Sequence, residues 1–156
     1  MKQLVMTFYM VGMILTTTMV FAFQNEPDAF RGIKWGTNLS DLPNMQYHIS
    51  NESFTLYVRK GDKMRMDDII TAELDAVYYN FFKEKFCGMF IQFRSLSTYY
   101  TIKQILFRKY GKGESLAPAK GYKWVGRSVN IVLGYSKGSE RGRIHYVYRP
   151  IFFGLH

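Results

Sequence analysis

Cysteine and histidine are scarce in this chain: Cys87 is the one thiol, and His48, His145 and His156 are the three imidazoles. A lone thiol closes no intramolecular disulfide, so a disulfide-stapled scaffold is excluded and any small exported domain must stand on a packed core. A metal centre needs several His, Cys, Asp or Glu side chains converging on one point, and no pair among His48, His145, His156 and Cys87 stands at ligand spacing. His145 alternates out of register with Ile144, Tyr146 and Tyr148, which puts it on the other face of its strand, as a surface histidine. Cys87 shares a strand face with Met89, Ile91 and Phe93 and reads as buried and inert, not as a nucleophile.

Catalytic signatures are missing too. There is no Gly-x-Ser-x-Gly elbow. Gly111-Lys112-Gly113 follows a helix end, whereas a phosphate loop joins a strand to a helix start. The one acidic cluster, Asp67-Asp68 with Glu73 and Asp75, has neither the calcium-loop pattern nor a spacing that suggests paired glycosidase carboxylates, and reads as a solvated turn. No internal repeat, low-complexity segment or second apolar run of membrane-spanning length follows the N-terminal one. The expectation is a protein that is not an enzyme and carries no metal and no cofactor.

What the chain does have begins at its N-terminus. Lys2 precedes an uncharged, largely apolar run from Leu4 to Phe23, and Val20-Phe21-Ala22 supplies the small residues of a signal-peptidase site. Residues 1–22 are therefore expected to be a signal peptide and 23–156 a single α+β domain, periplasmic or extracellular. Thr16, Thr17 and Thr18 dilute the run and favour cleavage over the alternative, an uncleaved anchor. Both readings put the domain on the same side of the membrane.

Within the domain, Ser53 to Arg59, Ala76 to Phe82 and Phe86 to Phe93 alternate as strands, the last two linked by Lys83-Glu84-Lys85. Thr98 to Tyr110 changes to helical spacing, with Tyr99, Ile102, Ile105, Leu106 and Tyr110 inward and Lys103 and Arg108 outward. Ser97 or Thr98 is placed to cap the start, and Gly111 to end the last turn. Tyr122 to Val125, Val129 to Tyr135 and Arg143 to Arg149 complete the strands, with Pro150 as the stop. Loops this short join antiparallel neighbours. The expected fold is α+β: an antiparallel β-sheet with one main amphipathic helix packed on one face, in the order β-β-β-α-β-β-β.

Phe30-Arg31-Gly32-Ile33-Lys34-Trp35-Gly36-Thr37 opens the domain, followed by Tyr79-Asn80-Phe81, Lys109-Tyr110-Gly111, Tyr122-x-Trp124 and a Tyr-rich last strand. On these residues the chain resembles a group of small exported bacterial proteins, mostly uncharacterised, over almost all of the domain. The shared residues are structural anchors, so the resemblance implies compartment and fold and carries over no functional residue. Trp35 and Trp124 read as core anchors in preference to stacking platforms for sugars or peptides.

Twenty-one Lys and Arg against twelve Asp and Glu give a formal charge of +9. Arg127, Lys137, Arg141 and Arg143 lie in or beside turns of the C-terminal half, interleaved with tyrosines, and are the candidate surface for an anionic ligand. The partner class expected is an anionic envelope polymer, a lipid surface or an envelope protein; nucleic acid is disfavoured by the destination. The function read from the sequence is thus a non-catalytic exported binding module. The alternatives are an envelope hydrolase, or an inhibitor or assembly factor acting through an exposed strand edge.

Overall fold

The computed structural model describes residues 23–51, 53–66 and 72–152. The signal-peptide expectation for residues 1–22, the Asp67-Asp68 pair and His156 lie outside the described residues. A two-stranded hairpin, β1 (Ala29–Phe30) and β2 (Ile33–Lys34), precedes the main sheet. The main sheet holds β3 (Met45–Ser50), β4 (Thr55–Arg59), β5 (Ala76–Phe82), β6 (Lys85–Arg94), β7 (Glu114–Ser115), β8 (Lys120–Val125), β9 (Val129–Ser136) and β10 (Arg141–Tyr148). Its spatial order is β3-β4-β5-β6-β10-β9-β8-β7, with every pairing antiparallel. Two four-stranded meanders thus meet along β6 and β10. Helix α1 (Leu96–Tyr110) carries the chain from central β6 to the far edge at β7, and packs over β6 and β9.

The antiparallel sheet with one main helix is the expected class, but the order is richer than β-β-β-α-β-β-β. Four further strands, β1, β2, β3 and β7, and a terminal helix α2 (Arg149–Phe152) are present. β1, β2 and β7 are two residues each, too short for a period to register. β3 is exposed along nearly its whole length, so its ladder with β4 and not burial of its own side chains makes it a strand.

Alternation builds the covered face. Val77, Tyr79 and Phe81 of β5, Met89, Ile91 and Phe93 of β6, and Ile131 and Leu133 of β9 are buried against Tyr99, Ile102, Ile105 and Leu106 of α1. A bulge between Asn80 and Phe81 breaks the register, pairing Asn80 with Gly88 but Phe81 with Phe86. The extra residue is Cys87. Phe86, expected on the opposite face, therefore joins the core cluster, while Cys87 is buried outside that cluster with its thiol 3.5 Å from the Asn80 carbonyl. Burial pushes the thiol up to about 12.

Helix α1 begins two residues before the expected start. Ser95 caps it, accepting the Thr98 N–H at 3.2 Å, in place of Ser97 or Thr98. Ser95 stands at φ 69°, ψ 149°, a region that side chains other than glycine rarely enter. At the other end Gly111 adopts φ 78° and its N–H reaches the Phe107 carbonyl at 2.9 Å. Trp124 is buried and donates its indole N–H to the Gly111 carbonyl at 2.9 Å. Trp35 is half-buried between Phe86 and Tyr148, with centroids 5.0 and 5.9 Å away, and donates to the Pro27 carbonyl. Both tryptophans are anchors.

Candidate functional site on the open face of the sheet

The residues that alternate with the core form the face that α1 leaves uncovered. Register lines them into rows across the strands. One row runs Tyr78, Phe90, His145, Val132, Lys123 and Glu114. His48 of β3 extends it, with its ring 4.7 Å from Tyr78; Tyr78 and Phe90 stack at 5.8 Å, and Phe90 meets His145 at 4.6 Å. Lys123 closes the row by pairing with Glu114 at 3.0 Å. The adjacent row is Ala76, Gln92, Arg143, Gly134 and Gly121. Its small residues leave a floor: a Cβ placed on Gly134 would have nothing within 4 Å.

The result is a cleft of about 670 Å³, walled by Tyr78, Phe90 and Val132 on one side and by Arg94, Arg141 and Arg143 on the other. Asp75 lies in the same wall and is held by Arg94 at 2.8 Å. Arg141 and Arg143 are exposed, and neither has an ion pair with a described carboxylate. Burial first, and the charge of Arg143 second, lower the pKa of His145 below its ordinary value, so the imidazole is neutral at pH 7. Chemically this is a surface with flat apolar rings, a shallow floor and two available guanidinium groups. Among the described residues no group of three or more His, Cys, Asp or Glu comes together as a metal site.

The four basic residues singled out in the sequence do not form one patch. Arg141 and Arg143 line the cleft. Lys137, in the turn from β9 to β10, faces the start of α1 instead. There the Tyr100 phenol is drawn below its usual range chiefly by a hydrogen bond from Lys120, with charge from Lys103 and Lys137 adding to it. Arg127 lies at the opposite end of β9, in the turn from β8, because an eight-residue strand separates the two turns. That turn is engaged through its backbone: the Glu26 carboxylate accepts the N–H groups of Arg127, Ser128 and Val129 at 2.8, 2.6 and 2.6 Å. Lys103, expected on the outer surface, holds its ammonium 5.4–5.7 Å from the ring centres of Tyr100, Phe107 and Tyr122.

Sequence reasoning missed Tyr78, Phe90 and His48 as site residues. Their alternation against Val77, Tyr79, Met89 and Ile91 was the available signal, but strand pairing alone tells which alternating residues become neighbours. No family model matches the chain, and neither curated proteins nor solved structures returned a significant match. No helix among the described residues is long and apolar enough to cross a membrane.

Proposed function

We propose that the chain is an exported, non-catalytic binding module whose open sheet face takes an anionic component of the cell envelope bearing flat or apolar parts. The observation that carries this reading is the juxtaposition of the Tyr78–Phe90 stack with Arg141 and Arg143 around one floor of small residues. Rings supply area at low entropic cost, and unpaired guanidinium groups supply anion recognition. The signal-like N-terminus and the resemblance to small exported bacterial proteins support an extracytoplasmic destination.

The test is binding of lipopolysaccharide across a salt series. Wild-type protein is expected to bind at low salt and release as salt passes about 0.1 M, where exposed charges are screened beyond about 10 Å. The Arg141→Glu/Arg143→Glu variant should bind weakly at all salts, and Gly134→Val, which fills the floor, should bind weakly while folding normally. Binding indifferent to all three changes would reject the cleft. The destination is checked separately, by N-terminal sequencing of protein from the native envelope fraction, which should begin at Phe23.

A second reading rests on β3. It is a six-residue edge strand without a charged side chain, and Tyr47 and Ile49 are 61% and 55% exposed. Edges of this kind accept an added strand. On that reading the partner is a protein, and substituting Tyr47 and Ile49 with lysine would abolish its binding without touching the cleft.

A further inference from the structure

A second cleft, of about 520 Å³, opens on the covered side of the sheet, away from the aromatic row. Four distant segments build it: Arg31 from the turn between β1 and β2, Asn44 just before β3, the stretch from the end of β4 at Arg59 to Met66, and Lys109 from the last turn of α1. Among the described residues its walls hold Arg31, Arg59, Lys60, Lys63, Arg65 and Lys109 with one carboxylate, Asp62, and one apolar side chain, Met66.

The carboxylate offsets one of these charges, that of Arg31, and is otherwise engaged. Asp62 Oδ2 accepts the hydroxyl of buried Tyr79 at 2.6 Å, and Oδ1 takes the Lys63 N–H at 3.1 Å and lies 2.7 Å from Arg31 Nη1. Arg31 is clamped by that ion pair and by donation of Nη2 to the Arg65 carbonyl at 2.8 Å. Its Nη1 is buried against the Asp62 carboxylate. Arg59, Lys60, Lys63 and Arg65 have no ion pair with a described carboxylate. Like charges gathered around one concave surface raise the local potential for an anion.

We infer that this basic cleft is a binding site for a multiply charged phosphoryl group, of the diphosphate type, borne either by a soluble molecule or by lipid headgroups. Phosphate is favoured over carboxylate because it offers several acceptor oxygens to Arg forks and Lys ammonium groups approaching from different directions. More than one phosphoryl group is needed because the cations come from three segments around a volume in the small-ligand range. The site stands apart from the open-face cleft, since Tyr79, which reaches Asp62, belongs to the helix-covered face.

Titration calorimetry of the purified protein with inorganic pyrophosphate tests the soluble source. Flotation with phosphatidylcholine vesicles, with and without cardiolipin, whose headgroup carries two phosphates, tests the lipid source. Binding to pyrophosphate, or to the vesicles only when they contain cardiolipin, is expected. Lys60→Glu/Lys63→Glu, in an exposed turn, should weaken it about tenfold or more, with an unchanged circular dichroism spectrum. Arg141→Glu/Arg143→Glu should leave it within about twofold, so that failure of the open-face reading and failure of this one are told apart. Absence of binding to both probes, or binding unmoved by Lys60→Glu/Lys63→Glu, overturns the assignment.

Discussion

The two faces of the main sheet come from alternate residues of the same strands, yet they are finished differently. On the covered face Tyr79, Met89, Ile91, Ile102 and Leu106 have no exposed surface, and the phenol of Tyr79 is raised to about 12 by burial and by its bond to Asp62. On the open face Tyr78, Phe90 and His145 are half-buried and Val132 is 38% exposed. The covered face gains nearly all of its stabilisation from exclusion of water. The open face keeps apolar rings beside charge at some cost in burial. Stability is therefore concentrated on the covered side, and the binding proposed for the open face draws on residues that contribute less to it.

Truncation on each side gives the sharpest contrast. Leu106→Ala is expected to destabilise the fold by about 2–5 kcal/mol, the usual cost of removing a fully buried leucine. Phe90→Ala should cost only about 1–2 kcal/mol, since the ring is half-buried and its contacts are mainly the stacked neighbours. The same Phe90→Ala change should nonetheless eliminate open-face binding. Denaturant unfolding of both variants measures the difference, and equal losses would break the division.

A smaller effect is expected at the boundary between the faces and solvent. Lys103→Ala should cost about 0.5–1 kcal/mol, because its ammonium serves three rings at the seam between α1 and β8. Lys103→Met, which retains the stem and drops the charge, separates the cation–π contribution from packing. A loss in both variants identifies the charge; a loss in Lys103→Ala alone identifies the stem.

The smallest effect lies in the response to pH. His145 has a lowered pKa in the folded chain, so the unfolded chain takes up a proton first as pH falls below about 6.5. The stability held above that value is lost as pH drops toward the depressed folded pKa. Thermal midpoints between about pH 7.5 and pH 5 should fall further for the wild type than for His145→Gln. Parallel profiles would mean that His145 is solvated like an ordinary surface histidine.

Legibility of the chain followed the range of the interactions. β5 was read at both ends because a strand buried on one face writes its period directly: Val77, Tyr79 and Phe81 alternate with Tyr78, Asn80 and Phe82. The inner face of α1 was equally plain, and only its start moved, since Ser95 in an unusual backbone conformation takes the cap. Phe86 and Cys87 were exchanged because a bulge is set by the partner strand and leaves no trace in the period of β6. Arg127, Lys137, Arg141 and Arg143 looked like one patch because they are close in sequence, but successive turns of a meander lie at opposite ends of the sheet. The sequence marks Lys60-Gly61-Asp62-Lys63 only as a turn, and the signal that its cations line a cleft lies in Arg31 and Lys109, far away in the chain.

By itself the amino-acid sequence determined the α+β class, the covered face of the sheet and the long helix α1, because hydrophobic period and local caps act within a few residues. Only the tertiary structure decided which basic residues share a surface, which aromatic rings stack across strands, and which carboxylate is already spent. Those outcomes depend on strand order, on register and on a crossover that brings α1 back over β6 and β9. Charge and aromatic content are properties of the chain, but a binding site is a property of neighbours, and in an antiparallel sheet neighbours are chosen by pairing.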